Sequence, residues 1–332
     1  MTRRAQLTLL AVGVAAFGLL VWQAGPATLL EQIRQSGWVV VPTVLVYGIV
    51  YLFNSEAWRL TMHERPPLIS SGRSYAITVW AFALNYLTPM VSVGGEPFKI
   101  AAASPWLGRR GATASVLGER LLHMQGHLLF FLTGIILAIV YLPRTAIGMV
   151  PLTLVALVLV AVGYMSLVPH RRGGALALLR VLERLPIPRG WKNWLAGKHG
   201  AAREVDAQLT AFYSDSPRRY AGALALEYAG RCLSVLELLL IANAIGAPVT
   251  YGVAFLIASF ASFAVNIAFF LPFGLGAREG GLYAIFGLLG MPPELGVAAS
   301  MLGRIRELTW IGLGLALGAV GVSTTNGLGT GD

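Results

Sequence analysis

Charge is what this sequence is short of. Only 12% of its 332 residues are Asp, Glu, Lys or Arg, against about 25% in an ordinary soluble domain. A water-soluble fold of this size is therefore excluded. Cysteine is scarcer still: Cys232 is the only one and lies in an apolar run, which removes a disulfide framework and a cysteine metal site. No Walker lysine motif, HExxH zinc motif or nucleophile elbow occurs, so nucleotide-driven pumping, zinc hydrolysis and α/β-hydrolase chemistry lack their usual parts. We expect no cofactor. Acidic residues number 15 against 25 basic ones, a net charge of +10. That excess crowds loops and helix ends, as topology signals do, and does not form a nucleic-acid footprint.

What is present is apolar surface. The chain is 56% hydrophobic, with a mean hydropathy of +0.69. It reads as an all-α integral membrane protein, a polytopic helical bundle. Thr2–Arg4 precede an apolar run from Ala5 to Gln23. At roughly 18 residues it exceeds the core of a signal peptide, about 7–15 residues, and reads as an uncleaved first span. Trp38–Trp58 makes a second span, with an indole at each end where interfacial rings settle. Ile147–Val168, Tyr220–Ile245 and Leu295–Gly321 read as further spans, and 170–219 as a loop carrying interfacial amphipathic helices at Ala175–Leu185 and Ala201–Tyr213.

Two stretches resist that pattern. Tyr75–Leu87 is apolar but short, and is followed by Pro89, a Gly-Gly pair, Glu96, Pro97 and Lys99. Leu271–Gly281 (LPFGLGAREGG) interrupts two of the most apolar runs in the chain. Proline removes a backbone donor and ionised side chains are costly in hydrocarbon, so such breaks belong where they line a wet cavity or are buried in protein. Residues 170–219 hold ten Lys or Arg. If 75–103 is a re-entrant hairpin, every basic loop falls on the cytoplasmic side; if Tyr75–Leu87 crosses fully, the richest one falls outside. The hairpin is favoured, with both termini cytoplasmic and a second broken hairpin at 249–290.

The order then repeats: span, span, broken hairpin, span, with the two copies inverted. Residues 1–145 form one half and 146–332 the other. Pro89 precedes Glu96 by seven residues, as Pro272 precedes Glu279; Arg120 follows Glu96 by 24, and Arg304 follows Glu279 by 25. Asn85 and Asn266 lie just upstream of each proline. Paired interrupted segments in corresponding halves point to a transporter substrate site.

Candidate substrate-binding residues follow from the breaks. Gly274, Gly276 and Arg278 lie where a half-helix starts, and exposed N–H groups beside a guanidinium suit a phosphate. Alternatively the glycines permit the bend and Arg278 pairs with Glu279. Glu96 and Glu279 are open to three roles: accepting a cationic headgroup, carrying a coupling proton, or pairing with Arg120 and Arg304. Lys99 matches Arg278 in the first hairpin, or snorkels. Glu119, His123 and His127 share one helix face as a polar stripe that offers a proton carrier; no second cluster completes a metal site. Arg304, Arg306 and Glu307 form a further polar knot. Trp80, Trp106 and Trp310 read as anchors or packing.

The blocks NYLTPMVSVGGEPFKI (Asn85–Ile100), GERLL (Gly118–Leu122), LPFGLGARE (Leu271–Glu279) and GRIRELTW (Gly303–Trp310) resemble the flippase-like family known as the lysylphosphatidylglycerol synthase transmembrane region. The resemblance spans nearly the whole chain. It implies a bacterial inner-membrane protein with re-entrant helices around a lipid-headgroup cavity, often a homodimer. It also implies movement of lipids between leaflets, with functional positions at Glu96, Glu119, Arg120, Glu279 and Arg304. Two departures stand out. No aminoacyl-transferase domain follows within the 332 residues, so synthesis of lysylphosphatidylglycerol is not expected, and His123 stands where the family often has Asp. Some stand-alone relatives belong with hopanoid or other polyprenyl-lipid pathways. The reading is of a non-enzymatic lipid translocase whose partner is a lipid with a polar headgroup. The alternatives are a non-transporting partner of a lipid-modifying enzyme and an intramembrane transferase using Glu96 or Glu279 as base.

Overall fold

The computed structural model describes residues 37–62, 69–87, 95–142, 153–161, 199–267 and 277–324, with the single positions 27, 163, 176 and 184. Every regular element among them is helical. A short 3-10 turn leads into α1, Val40–Thr61. Next come α2, Ser71–Leu87, and α3, Gly95–Tyr141. After a helical stretch at 153–161, α4 runs His199–Thr210 and widens into a π turn at Ala211–Asp215. The last four are α5, Pro217–Ala244; α6, Tyr251–Ile267; α7, Ala277–Leu288; and α8, Pro293–Thr324.

The boundaries have local causes. Pro217 opens α5 at a first-turn position that needs no backbone donor. Gly108 breaks α3 into two arms with a φ of 66°, and Gly290 ends α7 with a φ of 73°. Both torsions lie in the left-handed region, where any residue with a Cβ is strained. The two glycines stand 12 residues after Glu96 and 11 after Glu279.

The spans read at Trp38–Trp58, Tyr220–Ile245 and Leu295–Gly321 are recovered as helices, while of Ile147–Val168 only 153–161 and 163 are described. The first arm of α3 runs past 103 to Gly108, and the second begins at 109, well ahead of the apolar run Leu121–Leu142. A hydropathy profile stops at Arg109, Arg110 and Arg120, but a helix does not, provided each charge has water or a partner. Arg120 pairs with Glu96 and Arg110 with Glu204 of α4. The second arm, 109–141, is about 50 Å long, more than the roughly 30 Å of hydrocarbon in a bilayer. Its first turns therefore reach beyond the apolar slab, where α4 lies against them. Ala202, Val205, Asp206 and Leu209 are the buried face of α4, and Val205 and Leu209 meet Ala114. The first span (5–23), the connection 29–35, most of Ala175–Leu185, both hairpin tips (88–94 and 268–276), and with them Gly274 and Gly276, lie outside the described residues.

Packing crosses between the two parts of the chain. Helix α1 lies along α5, with Gly230 against Val50, Phe53 and Asn54. Helix α2 packs on α8 through Ala83, Leu87, Ile311 and Leu315, while α6 packs on the second arm of α3. There the Phe130–Phe255 and Phe131–Phe263 ring centroids lie 4.6 and 5.4 Å apart. Trp80 and Trp310 are buried in these seams, Trp80 against Phe98 at 4.1 Å and Trp310 donating to the Val44 carbonyl at 3.1 Å. Trp106 lies under the Arg73 guanidinium at 4.7 Å.

The distribution of polarity is the reverse of a soluble fold. Leu45, Ile49 and Leu52 on α1 and Ile136, Ile139 and Val140 on α3 are exposed, Leu45 by 64% and Ile136 by 62%. Lys99, Glu227, Glu237, Arg306 and Glu307 are buried. Apolar stripes facing outward around charges facing inward are stable only in hydrocarbon. Two described helical segments, Gly37–Thr61 and Gly95–Tyr141, are long and apolar enough to cross a membrane. The fold is that of an all-α membrane protein.

The α2–α8 seam makes a stability prediction. A Cβ at Gly314 would stand 2.7 Å from the Val79 carbonyl and 2.8 Å from Ala83, whereas one at Gly72 would meet nothing. Gly314→Val is expected to lower stability in detergent by about 1–3 kcal/mol. Gly72→Ala should raise it by up to about 1 kcal/mol, both read from thermal unfolding.

Candidate functional site

Two clusters of charged side chains are held by the broken-helix arms, and the last turn of α2 touches both. The first forms where the first arm of α3 begins. The Gly95 amide donates to Asn85 Oδ1 at 2.6 Å, and Asn85 Nδ2 donates to Glu96 Oε1 at 3.3 Å. A side chain at position 95 would collide with the Ala81 carbonyl and Asn85, so this approach needs glycine. Glu96 sits in the first turn, where the positive helix end favours a carboxylate. Its Oε1 is 3.2 Å from Arg120, whereas its buried Oε2 has no hydrogen-bond partner among the described residues.

Lys99, one turn on, donates to Glu119 at 2.5 Å and lies 4.6 Å above the Trp58 ring. That pair is buried; Arg120, with its side chain 54% exposed, is the cation left open. Between these groups lies a cavity of about 130 Å³, lined by Asn85, Glu96, Lys99, Glu119, Arg120 and His123 with a wall from Tyr51 and Asn54 of α1. It has room for a few water molecules or a small polar group. His123 turns its Nδ1 to Glu227 of α5 at 2.9 Å.

The second cluster joins α5, α7 and α8. Arg306 makes a two-pronged contact with Glu237, 2.9 and 3.0 Å, and lies 3.5 Å from the Tyr47 ring centroid. Arg278 pairs closely with Glu307 and more loosely with Glu237, at 4.0 Å. Arg304 reaches Glu279 at 3.0 Å and Glu307 at 3.3 Å. The Tyr86 hydroxyl donates to Glu307 at 2.6 Å and accepts from Arg304 at 2.6 Å, while Ser300 donates to Glu279 at 2.9 Å. Arg278, Arg304 and Arg306 thus balance Glu237, Glu279 and Glu307. Two-pronged guanidinium–carboxylate contacts of this kind are the form in which buried charge is tolerated.

Five of the residues singled out from sequence, Glu96, Lys99, Glu119, Arg120 and His123, share one cavity. Arg278, Glu279 and Arg304 are brought together in the other cluster. Glu96 and Glu279 do pair with Arg120 and Arg304. Arg278 points to Glu307 and Glu237 rather than to its neighbour Glu279, because successive residues on a helix face different directions. Sequence reasoning missed Glu227, Arg231 and Glu237, all on α5, and Tyr86. An ionisable residue inside an apolar span was the available signal for the first three; nothing marked Tyr86.

Residues 6–316 match the family model described as the lysylphosphatidylglycerol synthase TM region. The chain belongs to that family. No curated protein and no solved structure matches it. Membership of the family, together with the apolar helices, makes the protein a membrane protein with a lipid-related role.

Neutralising one member of the sealed cluster should be far more damaging than neutralising a surface pair. Glu237→Gln removes the two-pronged partner of buried Arg306 and leaves it the longer 3.6 Å contact with Glu307, and a loss of about 3–5 kcal/mol is expected. Glu204→Gln breaks the exposed pair with Arg110 and should change stability by no more than about 1 kcal/mol. Thermal unfolding of both purified variants in one detergent checks the contrast.

Proposed function

We propose that this protein moves lipids with polar headgroups between membrane leaflets, without catalysing a covalent step. The observation that carries the proposal is the matched pair of ion pairs, Glu96–Arg120 at 3.2 Å and Glu279–Arg304 at 3.0 Å. Each ties the first turn of a broken-helix arm to the long helix that follows it. A lipid headgroup needs polar partners at bilayer depth while its acyl chains stay in hydrocarbon, and broken helices supply them. The cavity beside Glu96 is walled in part by polar groups, and Arg120, half exposed and paired with Glu96, suits a phosphate.

The two parts of the chain act in this reading as inverted halves, 1–145 and 146–332, with re-entrant hairpins at 75–103 and 249–290. Left-handed glycines at corresponding places and reciprocal packing of α2 on α8 and α6 on α3 support it. Exchange of ion-pair partners between the clusters would open one side and close the other. Tyr86 and Asn85, adjacent on α2 with one in each cluster, are placed to link them. The basic loops put both termini and residues 170–219 on the cytoplasmic side of a bacterial inner membrane. No nucleotide motif is present, so the drive is a lipid or ion gradient.

Leaflet exchange in proteoliposomes tests this. With fluorescent phosphatidylglycerol, phosphatidylethanolamine and a neutral glycolipid as probes, wild type should speed exchange in a headgroup-selective way. Arg120→Gln should slow it by about tenfold or more, the worth of one charge-assisted hydrogen bond, while unfolding near the wild-type temperature. Lipid that binds and never changes leaflet would reject translocation in favour of a lipid-presenting role. A change in lipid mass would mean a transferase.

A further inference from the structure

Behind the cavity, across His123, lies the buried carboxylate of Glu227, which translocation as described does not use. Only 1% of the residue is exposed. Its Oε2 lies 2.9 Å from His123 Nδ1, and its Oε1 has no hydrogen-bond partner among the described residues. His123 is the basic side chain within ion-pairing distance. Arg231, one turn along α5, is turned aside: its Nη2 donates to the His123 carbonyl at 3.3 Å. The helices touch closely here, since a Cβ on Gly126 would stand 3.3 Å from both Arg231 Nε and Glu227 Cβ. His127 follows His123 on the same face, ring centroids 5.1 Å apart, with a buried Nδ1 that also lacks a partner among the described residues. Beyond it Phe131, at 5.5 Å, closes the line with an apolar ring.

A carboxylate removed from water and faced by an imidazole is a site for one shared proton: once bound, it lies between them, either as imidazolium against carboxylate or as carboxylic acid donating to neutral imidazole. Both forms hold the same proton. His123 is the side of this pair that meets the cavity, its side chain 36% exposed, whereas Glu227 is sealed behind it. A proton therefore arrives from the cavity through an imidazole and comes to rest on a group that only that imidazole reaches.

The surrounding charges give the consequence. The second arm of α3 presents Glu119, Arg120 and His127 to the pair, and the first arm presents Glu96 and Lys99. Helix α5 contributes Arg231, and α1 contributes Tyr47 and Tyr51, neutral phenols. Lys99, Arg120 and Arg231 balance Glu96, Glu119 and Glu227. With the shared proton bound, the group carries one net positive charge, the complement of one phosphodiester; without it, the group is neutral.

We propose that the His123–Glu227 pair is a proton-binding site opening onto the headgroup cavity, so that one proton enters with each anionic lipid headgroup. This rests on the lipid-transport reading of the same cavity and names its coupling ion. The linkage is reciprocal: lipid promotes protonation as much as the proton promotes lipid binding. No bond other than the one to the proton forms or breaks.

Proton uptake on lipid binding tests the site without requiring transport. Phosphatidylglycerol is added to detergent-solubilised protein in weakly buffered solution near pH 7, with a pH indicator, and bound lipid is counted. Wild type should take up about one proton per lipid bound. Glu227→Gln should bind lipid and take up none, and His123→Gln serves if the first variant does not fold. Phosphatidylcholine, with no net charge, should cause no uptake. In proteoliposomes, phosphatidylglycerol exchange by wild type should quicken severalfold from about pH 8 to about pH 6, the range an imidazole spans, and be flat in Glu227→Gln. Lipid binding by wild type without proton uptake, or undiminished uptake by Glu227→Gln, would overturn the proposal. Exchange without uptake or pH dependence would overturn it and leave lipid translocation standing. Uptake without exchange would keep the proton site and remove the translocation reading.

Discussion

Everything in this structure depends on burying charge in pairs. Glu237, Arg306, Glu307 and Arg278 sit among α5, α7 and α8 with their charges matched, and Tyr86 ties α2 to the same knot. In hydrocarbon a lone ionised side chain costs more than the packing of a whole helix contact returns, so the helices that carry these residues have one arrangement that satisfies them. The apolar seams then decide how tightly they close, as at Gly314 against Val79 and Ala83. Charge selects the partners and packing fixes the distances.

The two clusters differ in how completely they use that principle. Around Arg306 the donors and acceptors meet face to face, and Tyr47 caps the guanidinium with its ring. Around Glu96 one carboxylate oxygen lacks a partner among the described residues, Arg120 is half open, and a cavity separates the groups. A sealed knot supports the fold, while an unsatisfied one has capacity for something that arrives from outside. This asymmetry places the stability predictions on one side of the molecule and the binding predictions on the other.

Much of this was legible in the chain. The apolar runs located α1, α5 and α8 to within a turn, because a helix in hydrocarbon must be long and apolar along its outward face. The prolines, glycines and carboxylates of the interrupted stretches located the starts of α3 and α7. Pairing of Glu96 with Arg120 and Glu279 with Arg304 was one of three roles the sequence left open, and the structure has both pairs. Less legible was the reach of the long helix of α3, whose first turns carry arginines that a hydropathy profile reads as loop. Glu227 and Glu237 were passed over because neither lies at a helix break or in a matched spacing.

The sequence by itself determined that the protein is helical, that its solvent is lipid, and which residues interrupt its helices. Those properties follow from local composition, which the bilayer tests residue by residue. Only the tertiary structure decided which charge meets which. Arg278 bypasses the adjacent Glu279 for Glu307, His123 finds Glu227 across 104 positions, and Asn85 and Tyr86 divide between two clusters. Such partners are set by how helices far apart in the chain come to lie together, and neighbouring letters carry no record of it.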